Sequence, residues 1–278
     1  MKYMTFNSSC SYAGVANMLE QYGVDMDDRA IAMGMKLPYL FTHEDGVYMA
    51  GPMLQSAEWF NLFLNSIGFE MCETEVPAEQ VADYLKQQKT AMLGLQVDET
   101  SKHAVVYTGI QGEKLVFLNN KWEQDPGPVQ LILSHEELLN RIGSSAMVAT
   151  LQKISPQKID QYSKFADSIS VILQNLAEIK SVCSRRETVG ALRSMLNTLF
   201  RPLLLDGISM LGLLDEVELA DKFSLVQNSF LNALRQDPDT KVLLGDYISI
   251  PEFESLVFEY VRLISKEAQG FVDINVVD

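Results

Sequence analysis

Two spacings of apolar residues divide the chain. From the N-terminus to about residue 151, helical repeats give way to short runs of β-branched and large apolar residues; from Ser155 onward nearly every segment repeats at the helical period. Val15, Met18, Leu19 and Tyr22 fall at i, i+3, i+4 and i+7, which predicts a helix over about Ser11–Tyr22 with one buried face and a stop at Gly23. A second helix is expected over Pro52–Ile67, opened by proline, closed by Gly68, with Trp59, Leu62, Phe63 and Ile67 inward. A third, over Ala78–Lys89, is short and amphipathic. Strands are expected next at Ala91–Val97, His103–Ile110, Leu115–Asn119, Val129–Leu133 and Ala146–Leu151, each bounded by turn residues. Gln111-Gly112-Glu113 reads as a hairpin turn between two of them.

The change of texture marks a domain boundary, giving a first domain of residues 1–152 and a helical domain of residues 153–278. The fold class expected is α+β: helices packed on an antiparallel sheet, followed by an all-α domain. In the second part Ser155-Pro156 reads as an N-cap with proline at the first helical position, opening a helix to about Lys180. Further helices are expected at Glu187–Phe200, Pro202–Leu214, Glu216–Arg235 and Pro251–Glu267. The stretch Arg201–Leu214 is apolar nearly all round and too short to cross a bilayer, which places it at the centre of a helical bundle.

Charge narrows the function classes. Lys+Arg number 22 against 37 Asp+Glu, a formal charge of −15, and neither part is basic: −10 falls in residues 1–150 and −5 in 151–278. Phosphate contacts need clustered cations, so nucleic acid and anionic membranes are not expected partners. No run of eighteen apolar residues and no signal-peptide core is present, so a cytoplasmic location is expected. Cys10, Cys72 and Cys183 are scattered and odd in number, which suits reduced thiols rather than a disulfide framework, and no paired metal-ligand spacing exists.

Cys10 stands where the first helix begins, among Asn7, Ser8, Ser9 and Ser11. Unpaired backbone N–H groups there favour thiolate over thiol and make the sulfur nucleophilic. Small Ala13, Gly14 and Ala16 would let that helix approach a sheet closely. His103 opens a strand after a polar connection, where an imidazole can take a proton from a thiol and return it to a leaving group. The imidazole needs an orienting partner, and Asn119 and Asn120 end the next strand. The turn decides between them, because side chains alternate along a strand. A three-residue loop pairs Ile110 with Lys114 and Val105 with Asn119, placing Asn119 on the face of His103; a two-residue loop selects Asn120. Asn119 is preferred.

Cysteine at a helix start, histidine on a strand and asparagine on the next resembles the papain-like cysteine-nucleophile superfamily. Cys-Ser-Tyr-Ala-Gly-Val-Ala-Asn-Met-Leu-Glu-Gln-Tyr-Gly from Cys10, and His-Ala-Val-Val-Tyr-Thr-Gly-Ile followed by a turn and Leu-Val-Phe-Leu-Asn, resemble bacterial bacteriocin-processing peptidases over roughly residues 7–125. A nearer resemblance is to butirosin-biosynthesis-type acyltransferases, in which such a domain precedes a helical region. It rests on Met18-Leu19-Glu20-Gln21-Tyr22-Gly23, Met33-Gly34-Met35 leading to Tyr48-Met49-Ala50-Gly51, and Phe60 to Gly68, with the family's glycine-rich segment reduced here to Gly34. The resemblance implies acyl transfer through a thioester on Cys10, from an acyl carrier or small acylated substrate to an amine acceptor, without metal, nucleotide or other cofactor. Papain-like peptidases place a glutamine six residues before the nucleophile to donate to the oxyanion; Met4 stands there in this chain. Asn7 or Ser8, with the Cys10 N–H, are the candidate replacements.

Three functions therefore compete: an acyltransferase, a peptidase or amidase using the same Cys10, His103 and Asn119, and a non-catalytic binding protein on the same fold. The loss of the glutamine favours transfer from an activated thioester over cleavage of a peptide with its poor leaving group. Other reactive residues read as structural. His43 is expected in a loop at a cleft mouth. His135 is the first residue of a helix capped by Ser134 and Glu137, and Cys72 and Cys183 are at least partly buried thiols. Arg185, Arg186, Arg193 and Arg201 are expected on solvated helix faces, with contact to a carrier's phosphopantetheine as the lesser alternative.

Overall fold

The computed structural model describes residues 1–6, 9–97 and 101–275. In chain order its first part comprises α1 (Ser11–Glu20), α2 (Asp28–Gly34), β1 (Phe41–Glu44), β2 (Val47–Ala50), α3 (Ala57–Leu64), β3 (Phe69–Pro77), α4 (Ala78–Lys86), β4 (Ala91–Gln96), β5 (Lys102–Gln111), β6 (Lys114–Asn119), β7 (Gln130–Leu133), α5 (His135–Leu139) and β8 (Ser145–Lys153). The remainder is α6 (Tyr162–Cys183), β9 (Arg186–Thr188), α7 (Val189–Ser194), α8 (Gly207–Leu213), α9 (Val217–Leu234), β10 (Lys241–Leu243) and α10 (Ile250–Asn275). The architecture is α+β, as the hydrophobic pattern predicts.

By contacts the chain separates into two units, one of Met1–Met35 with Gln55–Ile159 and one of Lys36–Leu54 with the chain from Asp160 on. A single cut after residue 152 describes neither edge. The β1–β2 hairpin packs within the second unit, where the Phe41 N–H donates to Ser168 Oγ of α6 at 2.9 Å and the Tyr260 hydroxyl of α10 donates to the Pro38 carbonyl at 2.8 Å. Residues 154–157 stay with the first unit, because the Ile154 and Gln157 N–H groups donate to the carbonyls of Gly68 and Asn65. No helix starts at Pro156, and α6 begins only at Tyr162.

The first unit is built on an antiparallel sheet. Among the described residues it has six strands in the order β3-β8-β4-β5-β6-β7. One layer of core joins Val81, Ala82 and Leu85 of α4 to Leu93, Val105, Tyr107, Phe117 and Val148 of the sheet. Against the sheet also lies α1, and its eight residues Tyr12–Leu19 are all buried rather than one face of them. Small residues make this possible. A Cβ on Gly14 would stand 2.3 Å from Met92 Sδ and 2.8 Å from Asn120 Nδ2, so the helix backbone approaches β4 closer than any side chain allows. On another side Tyr12 packs edge-on between Phe6 and Phe60, with ring centres 5.4 and 4.9 Å away.

Three elements of this unit differ from the periodicity reading. The second helix is shorter, Ala57–Leu64. β3 (Phe69–Pro77) pairs along its whole length with β8, and its exposed Glu73, Thr74 and Glu75 had disguised it. α2 is capped by Asp27, whose carboxylate accepts the Ala30 N–H at 2.7 Å. Gly34, at the end of α2, is a packing position, since a Cβ there would meet the Phe63 ring at 2.4 Å. The remainder of the segment compared with the family's glycine-rich stretch, Tyr48–Gly51, belongs to the second unit.

The second unit is largely helical. Phe200, Leu203, Leu204, Phe223, Phe230, Phe253 and Tyr260 are fully buried, in keeping with the apolar run read as a bundle centre. The chain over Leu196–Asp206 winds in wide i→i+5 turns around Pro202, which has no N–H to give and whose ring an α-helical turn would crowd. Among the described residues no helix is long and apolar enough to cross a membrane.

Candidate active site

Cys10 caps α1, and its half-buried thiol faces the first turn of the helix and the start of β5. The Ala104 N–H of β5 donates to Cys10 Sγ at 3.1 Å. The register of the sheet explains why that donor is available. β6 pairs with β5 only as far as Asn119 opposite Val105, so Ala104 has no partner residue on β6. Its main-chain groups need other partners. The N–H goes to the cysteine sulfur, and the carbonyl accepts from Asn120 Nδ2 at 3.0 Å.

His103 comes into hydrogen-bonding contact with the Cys10 thiol, while the Asn119 side chain and the Asn120 main chain also hydrogen-bond to it. The ionisation of the pair follows. Burial pushes the Cys10 thiol up, but hydrogen bonds from His103 and the Ala104 N–H, the charge of the imidazolium and the cysteine's own N–H together bring it below its ordinary value. The His103 imidazole is raised, chiefly by its bond to Cys10 against the opposing effect of burial, with the thiolate charge, Asn119 and Asn120 adding to the rise. Both shifts favour thiolate beside imidazolium, and the two groups titrate as one coupled system.

Asn119 is held in turn. Its Nδ2 donates to the Pro128 carbonyl at 2.9 Å, and its N–H donates to the Val129 carbonyl at 2.9 Å. With the amide nitrogen committed to Pro128, the side-chain oxygen is the end left for the imidazole. Lys121 Nζ fixes the same loop by donating to the carbonyls of Asp125 and Gly127. Asn119 reaches this position by a route other than the one expected. The turn is the two-residue one, with Gln111 opposite Lys114 and Ile110 opposite Leu115, which by itself would select Asn120. A β-bulge between Tyr107 and Gly109 adds one residue to β5 and restores Val105 opposite Asn119. Gly109 has a φ of 147° and Gly112 a φ of 64°, values that suit glycine at the bulge and at the turn.

Asn120 has a different place. It is fully buried; besides the Ala104 carbonyl it binds Asn17, whose Nδ2 donates to Asn120 Oδ1 at 3.0 Å and to the Lys2 carbonyl at 3.0 Å. Asn17 Oδ1 accepts the Lys2 N–H at 2.6 Å. The Asn17–Asn120 pair thus ties α1, the N-terminal segment and β5 together. Periodicity alone overlooks Asn17; the signal was a polar amide among the apolar residues of a helix that proved to be buried on every side.

The sulfur and the imidazole open on a cavity of about 460 Å³, lined also by Ser9, Gln55, Glu73, Lys102 and the side chains of Met4, Met92 and Met147. Met4, six residues before Cys10, lines this cavity, and its side chain carries no N–H. Asn7 and Ser8 lie outside the described residues. Glu73 Oε2 accepts the Ala57 N–H at 3.2 Å, which fixes a carboxylate at the cavity wall.

The remaining candidates are structural. His43 sits within β1 rather than a loop, stacked on Tyr48 with ring centres 4.0 Å apart and planes 5° from parallel. Ser134 and Glu137 form the capping box that opens α5 at His135. Burial pushes the Cys183 thiol up to about 12 and raises Cys72 as well, the latter helped by Glu70. Arg193 donates to the carbonyls of Leu234 and Gln236 at the end of α9, Arg201 pairs with Asp206 at 2.8 Å, and Arg185 pairs with Glu187 at 2.5 Å. These three guanidinium groups all make contacts within the chain.

No family model matches the chain, and no curated protein matches it. Among solved structures, the chain is similar to the peptidase domain of Streptococcus ComA, a bifunctional ABC transporter involved in a quorum-sensing pathway. The likeness has 15% sequence identity and a TM-score of 0.40, covering 56% of this chain and 96% of that one.

Proposed function

We propose that the chain is a cysteine-nucleophile enzyme of papain-like type that takes an acyl group onto Cys10 as a thioester and passes it to an amine. His103 acts as general acid and base, and Asn119 orients it. One observation carries this reading: Cys10 accepts the Ala104 N–H and meets His103, in surroundings that lower the thiol and raise the imidazole. A structural cysteine in an apolar site shows the opposite shift, as Cys183 does.

In the first step the thiolate sulfur bonds to the acyl carbon, and the leaving group departs with its electron pair and the proton held by His103. In the second the amine attacks the thioester, gives its proton to His103, and the carbon–sulfur bond breaks to restore the thiolate. Transfer to an amine is preferred because the Glu73 carboxylate gives the cavity wall an affinity for an ammonium group. Peptidase or amidase activity is the same chemistry with water as acceptor.

The test is incubation with an acyl thioester, with and without a primary amine, following free thiol by colour and products by mass. The expected result is acyl-Cys10 in the absence of amine, turnover to amide in its presence, and neither in Cys10→Ala. Rapid cleavage of peptides without an amine would replace transferase by peptidase, and a Cys10 that reacts no faster than an ordinary thiol would leave a binding protein.

A further inference from the structure

We propose that Gln55 is an oxyanion donor for the chemistry of Cys10, its side-chain amide turned into position by Ser9. The inference rests on Cys10 being the nucleophile, as proposed above. When the thiolate sulfur bonds to an acyl carbon, the carbonyl π pair moves onto oxygen, and that charge needs N–H donors already in place. The Cys10 N–H at the start of α1 is one. Among the described residues, a second can come from a side chain in the same cavity.

Gln55, far from Cys10 in sequence, lines the cavity with Cys10 and His103. The hydrogen bonding of Ser9 determines which way its amide faces. Ser9 is only 5% exposed, so its hydroxyl must find partners within the protein. The hydroxyl oxygen accepts the Ser11 N–H at 3.2 Å, which directs its own hydrogen to Gln55 Oε1, 2.7 Å away. A carbonyl oxygen is the only end of the amide able to accept that hydrogen. The Nε2 group is therefore the end left over, and among the described residues it donates to none. An exposed glutamine ordinarily samples many rotamers; this one is tethered, oxygen first, to the residue preceding the nucleophile. The donor that Met4 cannot supply from its own position is thus supplied from the segment leading into α3.

The experiment compares two reagents on the full chain. 4-Nitrophenyl acetate acylates the sulfur through a tetrahedral oxyanion, the acyl C–O bond breaking as 4-nitrophenolate leaves with its electron pair. Iodoacetamide alkylates the same sulfur at a saturated carbon, expelling iodide, with no oxyanion at any stage. In Gln55→Ala the burst of nitrophenolate is expected to slow about 100-fold, while the rate and pH profile of iodoacetamide alkylation stay as in the unsubstituted chain. Gln55→Glu, which keeps the length but offers no N–H when ionised, is expected to slow the burst at least as much. An unchanged burst in Gln55→Ala overturns the proposal, and so does a loss of acylation matched by an equal loss of alkylation. If instead Cys10 of the unsubstituted chain alkylates no faster than an ordinary thiol, it is the nucleophile itself that fails.

Discussion

Replacing His103 by alanine removes the largest influence that holds the Cys10 thiol down, leaving burial opposed only by the Ala104 N–H and the cysteine's own N–H. The midpoint of thiolate formation must therefore move upward. Each unit of that movement changes the thiolate-to-thiol ratio tenfold. A more basic thiolate is also a better nucleophile, with a Brønsted slope of about 0.4–0.5, so each unit returns roughly threefold in intrinsic reactivity. Below both midpoints, alkylation of the variant should be slower by a net factor of about three for every unit. Above both midpoints the order reverses, the variant being faster by about the same factor. Crossing curves are thus the signature. The assay is the pseudo-first-order rate of iodoacetamide alkylation from pH 5 to 10, with the adduct located by mass. In the unsubstituted chain a second inflection is expected above the ordinary histidine range, where His103, raised chiefly by Cys10, loses its proton. Profiles with one shared midpoint, or a variant midpoint lower than that of the unsubstituted chain, would show that His103 does not set the state of the sulfur.

Three further outcomes follow from the same contacts. Asn119→Ala is expected to cut turnover of an acyl thioester at least tenfold while leaving the melting temperature near its starting value, whereas Asn120→Ala should cost about 1–3 kcal/mol in denaturant unfolding because it strands the Ala104 carbonyl and Asn17; equal effects on both readouts would refute the division of labour. Gly14→Ala should destabilise by about 1–3 kcal/mol through overpacking against Met92 and Asn120, and an unperturbed melt would mean that α1 does not approach the sheet as described. Asp28 is fully buried, and burial raises its carboxyl against the hydrogen bonds from the Thr5 N–H and hydroxyl. Its protonated form is thus favoured by folding, a contribution full below the unfolded aspartate value and lost as pH rises through the folded one. The melting temperature of Asp28→Asn relative to the unsubstituted chain should therefore climb from pH 4 to pH 7, and a pH-independent difference would contradict this.

Strands with an unbroken apolar run were legible in the pattern: β4, β5, β6, β7 and β8 lie within a few residues of their expected bounds. β3 was not, because its middle carries Glu73, Thr74 and Glu75 on the exposed part of a strand whose pairing with β8 is decided elsewhere in the chain. The same holds for the β1–β2 hairpin, whose partners Ser168 and Tyr260 are more than a hundred residues away. Residues 154–157, expected to open a helix, instead run along the first unit, with the Ile154 and Gln157 N–H groups bonded to Gly68 and Asn65 far along the chain. Local propensity sees neither kind of partner.

The candidate site shows a subtler limit. Alternation along β5 and β6 reduces the candidates for orienting the imidazole to Asn119 or Asn120, but the step from turn to residue depends on an even ladder. The ladder is not even. A two-residue turn at Gly112-Glu113 moves the register one way and the bulge before Gly109 moves it back, so two departures cancel and Val105 still faces Asn119. The glycines that permit both conformations are visible in the sequence as Thr-Gly-Ile and Gln-Gly-Glu, yet a glycine inside a strand marks a bulge only when something fixes the register on its far side. Here that something is the Asn120–Ala104–Cys10 connection, in which one main-chain residue is held by an amide through its carbonyl and gives its N–H to the sulfur. Moving the register by one residue would exchange the two asparagines and leave the Ala104 carbonyl without its partner. The position of the bulge is therefore tied to the state of the thiol.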